Sequence, residues 1–181
     1  AGFRLAPGGA QEYFGVRADL VTYGKIIGGG MPVGAYGGSR KLMEQVAPLG
    51  PVYQAGTLSG NPVAMAAGLA QLRILKSTPE IYENLDRRGA MLEKGLKQAL
   101  SGIPAQVNRV GSLLTVFFTE SPVTSYDAAR SSDLTQFRRW YLGLLEQGIY
   151  AAPSQFEAMF LCNAHTDAEI QRIIDCAGRI F

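Results

Sequence analysis

The chain has 181 residues, of which 47% are hydrophobic and 18% are charged. This length and composition can bury an ordinary core in one or two small domains, which argues against a disordered chain. The 17 basic and 15 acidic residues are interspersed, so neither a basic arm for nucleic acid nor a polybasic membrane patch is present. We therefore expect partners that are small molecules or proteins.

The cysteines and the first residues bear on the cellular setting. Cys162 and Cys176 are too few and too far apart for a disulfide framework or a CxxC site, which favours a reducing compartment, the cytoplasm or a plastid stroma. No apolar run reaches the roughly 18 residues that a membrane span needs, so we expect a soluble chain without a membrane partner. The start, Ala1-Gly2-Phe3-Arg4, resembles neither a natural start nor a signal peptide, so we expect a piece of a longer protein.

The first 77 residues are dense in glycine and in short apolar runs, which is typical of buried strands joined by tight loops. Residues 19–22 and 33–36 are predicted strands. Asn61 is placed to cap a helix that begins at Pro62 and continues to Lys76. Because this helix is apolar on most faces, we expect it to be buried.

From residue 78 onward the pattern predicts helices packed on a small sheet. Thr166 and Glu169 have the spacing of a capping box, which opens a last helix extending through residue 180. The other predicted elements are a helix at 78–100, one or two strands at 107–119, and a helix at 133–147 that ends before Gly148. Residues 1–77 and 78–181 are therefore predicted to belong to two different domains.

The stretch richest in chemistry is Tyr23-Gly24-Lys25-Ile26-Ile27-Gly28-Gly29-Gly30-Met31-Pro32-Val33-Gly34-Ala35. A lysine that ends a short strand and precedes three glycines is held rigidly, and a ligand can approach the backbone around it. Apolar neighbours disfavour the ammonium form, so we expect a neutral amine able to form a Schiff base. A surface lysine before a glycine turn is the alternative. The order of residues excludes a nucleotide P-loop, whose lysine follows the glycines, and a Rossmann fingerprint, whose glycines open a helix.

A second stretch, Tyr53-Gln54-Ala55-Gly56-Thr57-Leu58-Ser59-Gly60-Asn61-Pro62, leads into a helix N-terminus. The helix dipole and unpaired N–H groups at such a place favour an anion such as phosphate. The alternative is a turn and a helix cap that bind no ligand.

The two stretches together resemble the class-III aminotransferase family at its cofactor lysine and its cofactor-phosphate loop. Within that family the likeness is closest to the aminomutases. Four further stretches carry the resemblance, which covers essentially the whole chain: residues 8–13, 47–52, 146–150 and 152–158.

The resemblance implies an α/β chain of the PLP-dependent transferase fold type I. Residues 1–77 would be the C-terminal part of the large cofactor domain, and residues 78–181 the small α+β C-terminal domain. The implied cofactor is pyridoxal 5'-phosphate (PLP), alternating with pyridoxamine 5'-phosphate, held on Lys25, whose amine also moves protons. Gly56 and Thr57 match the phosphate loop. Thr57 would act on the cofactor of a neighbouring subunit, which implies a homodimer with shared active sites.

Glu157 matches a carboxylate near the cofactor, at a position where many aminotransferases of this class carry an arginine. Such a carboxylate would disfavour a second substrate carboxylate and could interact with an amino group. A solvated loop glutamate is the alternative. Met159 stands where the resemblance leads us to expect glycine. His165, the single histidine, is expected to face solvent or to cap the helix that follows it.

The resemblance also implies what the chain lacks. The aspartate that pairs with the pyridine nitrogen, the main phosphate cup, the stacking aromatic ring and the arginine for the substrate carboxylate would precede this sequence. We therefore expect the chain alone to be inactive. The implied reaction is amino transfer within one small molecule and needs no metal. The alternatives are a class-III aminotransferase with an external amino donor and a non-catalytic piece that serves only oligomerisation.

Overall fold

The structure is a computed structural model that describes residues 2–181. It divides into two compact units, the first ending at Tyr82 and the second comprising Glu83–Phe181. The assignment of residues 1–77 and 78–181 to the two domains of the family stays a prediction. No helix within residues 2–181 combines the length and apolar character needed to cross a membrane.

The first unit is built around a two-stranded antiparallel hairpin. Gly24 pairs with Gly34 at the end of the hairpin where the lysine segment begins. Both predicted strands are confirmed, each displaced by one or two residues. The elements are α1 (Ala10–Phe14), β1 (Leu20–Gly24), a 3₁₀ turn at Lys25–Gly28, β2 (Gly34–Gly38), α2 (Arg40–Met43) and α3 (Pro62–Ser77). The short helices α1 and α2 were not predicted, because one turn of helix carries no periodic signal.

Helix α3 begins as predicted. The Asn61 side chain accepts hydrogen bonds from the amides of Val63 and Ala64, both at 3.1 Å, and Pro62 occupies the first turn. The expected burial of this helix is wrong for this chain. Only Ala64 and Gly68 are buried, because only their side of α3 packs on other parts of the first unit. The exposed apolar side chains of α3 are Val63, Met65, Leu69, Leu72 and Ile74.

The second unit packs helices on a three-stranded antiparallel sheet of order β3-β4-β5. Strand β5 pairs with β4 only at its two residues, opposite Leu113 and Leu114. The helix and the strands predicted for 78–119, and the helix predicted for 133–147, are confirmed. The elements are α4 (Glu80–Ala99), which starts in the first unit, then β3 (Gln106–Val110), β4 (Leu113–Phe117), α5 (Tyr126–Arg130), α6 (Leu134–Glu146), β5 (Met159–Phe160) and α7 (Asp167–Ala177).

One face of the sheet and the inner faces of α4, α6 and α7 form the core of the second unit. Alternate residues of β4 enter it, as the period-2 direction of strand side chains requires. Gly95 of α4 lies so close to Ile174 of α7 that an added Cβ would sit 2.2 Å from the isoleucine Cδ1. The largest fully buried apolar side chains are Trp140, Leu92, Leu96, Leu114, Leu144, Ile170 and Val116.

The start of α7 confirms the predicted capping box. The Glu169 amide donates to Thr166 Oγ1, and the Glu169 carboxylate accepts from the Thr166 amide. Asp167, in the same turn, accepts hydrogen bonds from Arg87 and Arg88, and these bonds hold its pKa at about 2. The helix stops at Ala177, three residues before the predicted end, where Gly178 caps it.

Candidate active site

Lys25 sits at the point where β1 ends, in a backbone conformation that lysine rarely adopts. Its φ of 57° makes it the only non-glycine residue among residues 2–181 with positive φ. Left-handed backbone costs a residue with a Cβ about 1 to 2 kcal/mol, so such a conformation persists only where the surroundings impose it. The Lys25 side chain is exposed in this chain. A strained, exposed lysine on a short turn is the kind of outlier that marks a functional residue.

The turn Lys25–Gly28, which we call the lysine turn, rests directly on the backbone of α3. A Cβ on Gly68 would lie 2.5 Å from the Ile27 carbonyl oxygen, and a Cβ on Gly29 would lie 2.5 Å from the Ala67 carbonyl oxygen. Because one glycine comes from each segment, turn and helix approach each other more closely than side chains would allow. Helix α3 therefore supports the lysine turn. The sequence alone did not predict this role of the helix. The clue in the sequence was Gly68, a glycine inside an alanine- and leucine-rich helix.

The loop at residues 53–61 keeps free the groups that an anion would need. Within residues 2–181, the amides of Thr57, Leu58 and Gly60 have no acceptor, and neither does the Thr57 hydroxyl. The first amides of α3 itself are occupied by Asn61. The free donors of the loop could therefore bind an anion, with the dipole of α3 adding to the attraction, whereas the N–H groups of the first helical turn are already occupied.

The phosphate-loop candidate Gly56 faces the hairpin of the first unit. Gly56 and Ser59 line a cleft of about 240 Å³ together with Val33 and Gly34. Gly34 is the strand partner of Gly24, the residue before the lysine. The structure therefore brings the Gly56 end of the loop close to the lysine turn, whereas neither Lys25 nor Thr57 lines this cleft.

Glu157 lies in the second unit, on the loop that leads into β5. Its side chain is exposed at the wall of a largely apolar cavity of about 590 Å³, which Tyr150 and His165 also border. The Glu157 amide donates to the Ser154 carbonyl oxygen at 3.1 Å. The neighbouring Gln155, which the sequence analysis did not single out, is buried and donates from Nε2 to the Val116 carbonyl oxygen at 2.7 Å.

Two further expectations near Glu157 concern single residues. Met159 is the first residue of β5 and pairs with Leu114, so this position holds ordinary strand backbone and does not require glycine. His165 does not cap α7, since Thr166 does. Its Nδ1 instead accepts a hydrogen bond from the Cys162 amide at 3.0 Å and closes the loop before the helix.

The candidate residues thus form two sets. Lys25, Gly56 and Thr57 lie in the first unit, and Glu157 lies in the second. Within residues 2–181 no group of three or more histidine, cysteine or acidic side chains could hold a metal ion. The first set provides an amine on a strained turn and a loop with free donors, which suits an anionic ligand that carries a carbonyl group.

The family model "Aminotransferase class-III" matches residues 7–177. The chain therefore belongs to the class-III aminotransferase family. It is 58% identical over 182 aligned residues to the glutamate-1-semialdehyde 2,1-aminomutase of Persephonella marina, covering 99% of this chain and 42% of that protein. The chain thus spans about two fifths of the length of this relative.

Two solved structures show the same fold. The β-phenylalanine aminotransferase of Variovorax paradoxus aligns with a TM-score of 0.89 and 36% identity over 97% of this chain and 41% of its own. A transaminase solved with PLP bound aligns with a TM-score of 0.82 and 29% identity, over 99% of this chain and 41% of its own. The predicted α/β transferase fold is confirmed by these neighbours.

Proposed function

We propose that this chain is the C-terminal part of a PLP-dependent aminomutase that converts glutamate-1-semialdehyde to 5-aminolevulinate, for tetrapyrrole synthesis. The observation that carries the choice of reaction is the 58% identity to a relative of that name across nearly the whole chain. Substrate and product are isomers: the amino group leaves C2 and arrives at C1, and the oxygen moves the opposite way. No external amino donor is consumed.

The lysine turn supports the choice of Lys25 as the residue that holds PLP. The strained backbone of Lys25 and the packing of the lysine turn on α3 place the start of this side chain at the end of β1. PLP, when bound, supplies an aldehyde that amines can attack and a ring that withdraws electrons from the substrate carbon. Lys25 Nζ would bind the aldehyde carbon and, once released, would move a proton between the substrate and the cofactor.

The free donors of the 53–61 loop support a phosphate-binding role for Gly56 and Thr57. The Thr57 hydroxyl and the loop amides can meet a phosphate dianion, and the α3 dipole adds to the attraction. The family resemblance directs Thr57 to the cofactor of a second subunit, which makes the enzyme a homodimer with shared sites. The unpaired thiols of Cys162 and Cys176 suit the reducing environment of a cytoplasm or plastid stroma.

We propose that Glu157 adapts the site to the mutase reaction. Its exposed carboxylate would repel a second substrate carboxylate and could hold the substrate amino group during its transfer. An ordinary class-III aminotransferase is the second candidate, favoured by the structural likeness to the β-phenylalanine aminotransferase. That enzyme would need a separate amino donor and a 2-oxo acid acceptor.

The test replaces the matching segment of the Persephonella marina relative with this chain, which supplies the missing parts of the site. We call this protein the chimera. With PLP or pyridoxamine phosphate and glutamate-1-semialdehyde alone, the chimera should form 5-aminolevulinate. Formation only after an amino donor and a 2-oxo acid are added would instead establish the aminotransferase.

The control is the chimera with Lys25→Ala, which should form no product. It should also lose the visible absorbance of lysine-bound cofactor. If the unmodified chimera binds no PLP although it folds, the chain is a non-catalytic piece and the proposed function is wrong.

A further inference from the structure

Gln155 is a buried amide two residues before Glu157. Its side chain is 2% exposed and donates from Nε2 to the Val116 carbonyl oxygen at 2.7 Å. Its Oε1 has no hydrogen-bond partner among residues 2–181. Burial of the unpaired Oε1 costs free energy, whereas the Nε2 donation satisfies a backbone carbonyl group that an apolar side chain would leave without this partner. The contribution of a glutamine at this position therefore lies in its bond to Val116.

The bond from Gln155 replaces a continuation of the sheet. Strands β4 and β5 pair Leu114 with Met159, and this register, extended by two residues, would set Glu157 opposite Val116. The strand begins only at Met159, so at Glu157 the chain is still outside the ladder. The Gln155 side chain meets the Val116 carbonyl group instead. The loop is thereby held off the sheet edge, with Glu157 exposed.

The residues between the two side chains form a tight turn. The Glu157 amide donates to the Ser154 carbonyl oxygen at 3.1 Å, and the Phe156 amide donates to Ser154 Oγ at 3.2 Å. Gln155 lies inside this turn and is its only side chain anchored in the core. A displacement of Gln155 must therefore move the backbone that carries the Glu157 carboxylate.

We propose that Gln155 is a positioning residue, which fixes the Glu157 carboxylate where it can meet the amino group of the substrate. The proposal rests on the role proposed above for Glu157. Gln155 itself touches neither substrate nor cofactor. Its contribution is the anchored turn, which determines how far the carboxylate projects from the second unit.

The test compares Gln155→Met, Glu157→Gln and the double variant in the chimera. Methionine keeps the length of glutamine and removes its donor. We expect kcat to fall roughly tenfold or more in each single variant, since a misplacement near 1 Å costs up to a hundredfold, while KM changes less. Both should shift the balance of aldehyde and amine forms of the cofactor in the same direction. Because Gln155 acts through Glu157, the double variant should be no slower than Glu157→Gln alone, within about twofold.

Gln147→Met is the matched control. Gln147 also anchors secondary structure through its amide, donating to the carbonyl oxygens of Gly143 and Cys176, but it ties α6 to α7. Its loss should lower the melting temperature and leave kcat and the cofactor balance unchanged. Equal effects of Gln147→Met and Gln155→Met on kcat would overturn the proposal, as would multiplicative losses in the double variant.

Gln155→Glu keeps the proposal testable if the methionine variant does not fold. A buried carboxyl group has a raised pKa, and in its protonated form it can again donate to Val116. The activity of this variant relative to the parent should therefore rise as the pH falls from 8 to 6. A flat ratio would contradict a role for the donor.

Failure of the proposed function would look different. The parent chimera would then form no 5-aminolevulinate, or Glu157→Gln would match the parent. Hydrogen exchange at the Glu157 amide still decides whether Gln155 holds the loop, because exchange should be faster in Gln155→Met. Unchanged exchange would overturn the positioning role whatever the reaction.

Discussion

Replacing Gly68 by alanine tests the contact between α3 and the lysine turn, because the added methyl group has two effects of opposite sign. At an unconstrained position inside a helix, the change from glycine to alanine stabilises by about 1 kcal/mol. At Gly68 the new Cβ would lie 2.5 Å from the Ile27 carbonyl oxygen, and real Cβ contacts essentially never fall below 3.0 Å. The oxygen belongs to the backbone, so the turn or the helix must move, and overpacking of this kind costs about 1 to 3 kcal/mol. The difference is a net destabilisation of about 0 to 2 kcal/mol.

The assay is urea unfolding of the chimera, combined with the rate at which borohydride traps PLP on Lys25. Ala70→Gly is the control, since Ala70 is exposed on α3 and its replacement loses about 1 kcal/mol of helix propensity. Ala70→Gly should be less stable than the parent and Gly68→Ala no more stable than it, but only Gly68→Ala should slow the trapping, because only it displaces the turn. A Gly68→Ala variant that gains about 1 kcal/mol and traps PLP at the parental rate would refute the close contact.

Three further predictions concern the candidate site and the second unit. Lys25→Ala should abolish the reducible cofactor adduct, and mass spectrometry of borohydride-treated peptides that located an adduct on another lysine would reject this assignment. Mixing Lys25→Ala subunits with Thr57→Val subunits should restore activity at limiting PLP, because one site of the mixed dimer carries neither change. Activity no greater than the sum of the parents, despite verified subunit exchange, would place Thr57 on its own subunit's cofactor or on none. Arg87 and Arg88 lower the pKa of Asp167 from its ordinary value of 3.8 to about 2, so this carboxylate should stabilise the fold at pH values above 3.8. The advantage over Asp167→Asn should shrink as the pH falls from 4 to 2. Urea midpoints of the two proteins across this range measure it, and a difference that does not change with pH would contradict the ion pair.

The long helices and strands β1 to β4 followed from local signals, whereas α1, α2, α5 and β5, each of five residues or fewer, were not predicted. Asn61, Pro62 and the Thr166–Glu169 box identified helix starts because a cap is satisfied by residues within a few positions. The burial of α3 could not be inferred in this way, because apolar side chains favour burial but do not show whether another element is there to cover them. The early end of α7 was also missed, because the apolar pattern continues to Ile180 although the helix ends at Ala177 with Gly178 as its C-cap.

The candidate site shows the same limit. Lys25 was singled out from the glycines around it, but its left-handed backbone could not be, because no neighbouring residue in the sequence requires positive φ of a lysine. The packing of the lysine turn on α3 was equally hidden, since the two segments lie some forty residues apart. Gln155 lies in one of the stretches that carry the resemblance, but nothing in the sequence indicated a role for its side chain. Its partner Val116 lies 39 residues earlier, and only the register of β4 and β5 shows why an amide is useful there.

The left-handed backbone of Lys25 means that stability and chemistry select different residues at this position. Glycine adopts a φ of 57° without steric penalty, whereas any other side chain meets its own carbonyl group. The free energy gained by relieving that strain exceeds the free-energy cost of the extra conformational entropy that glycine gives the unfolded chain. A mutational scan of the chimera scored by melting temperature alone should therefore favour glycine over lysine at residue 25, whereas the role proposed for Lys25 requires that the same scan scored by turnover accept only lysine.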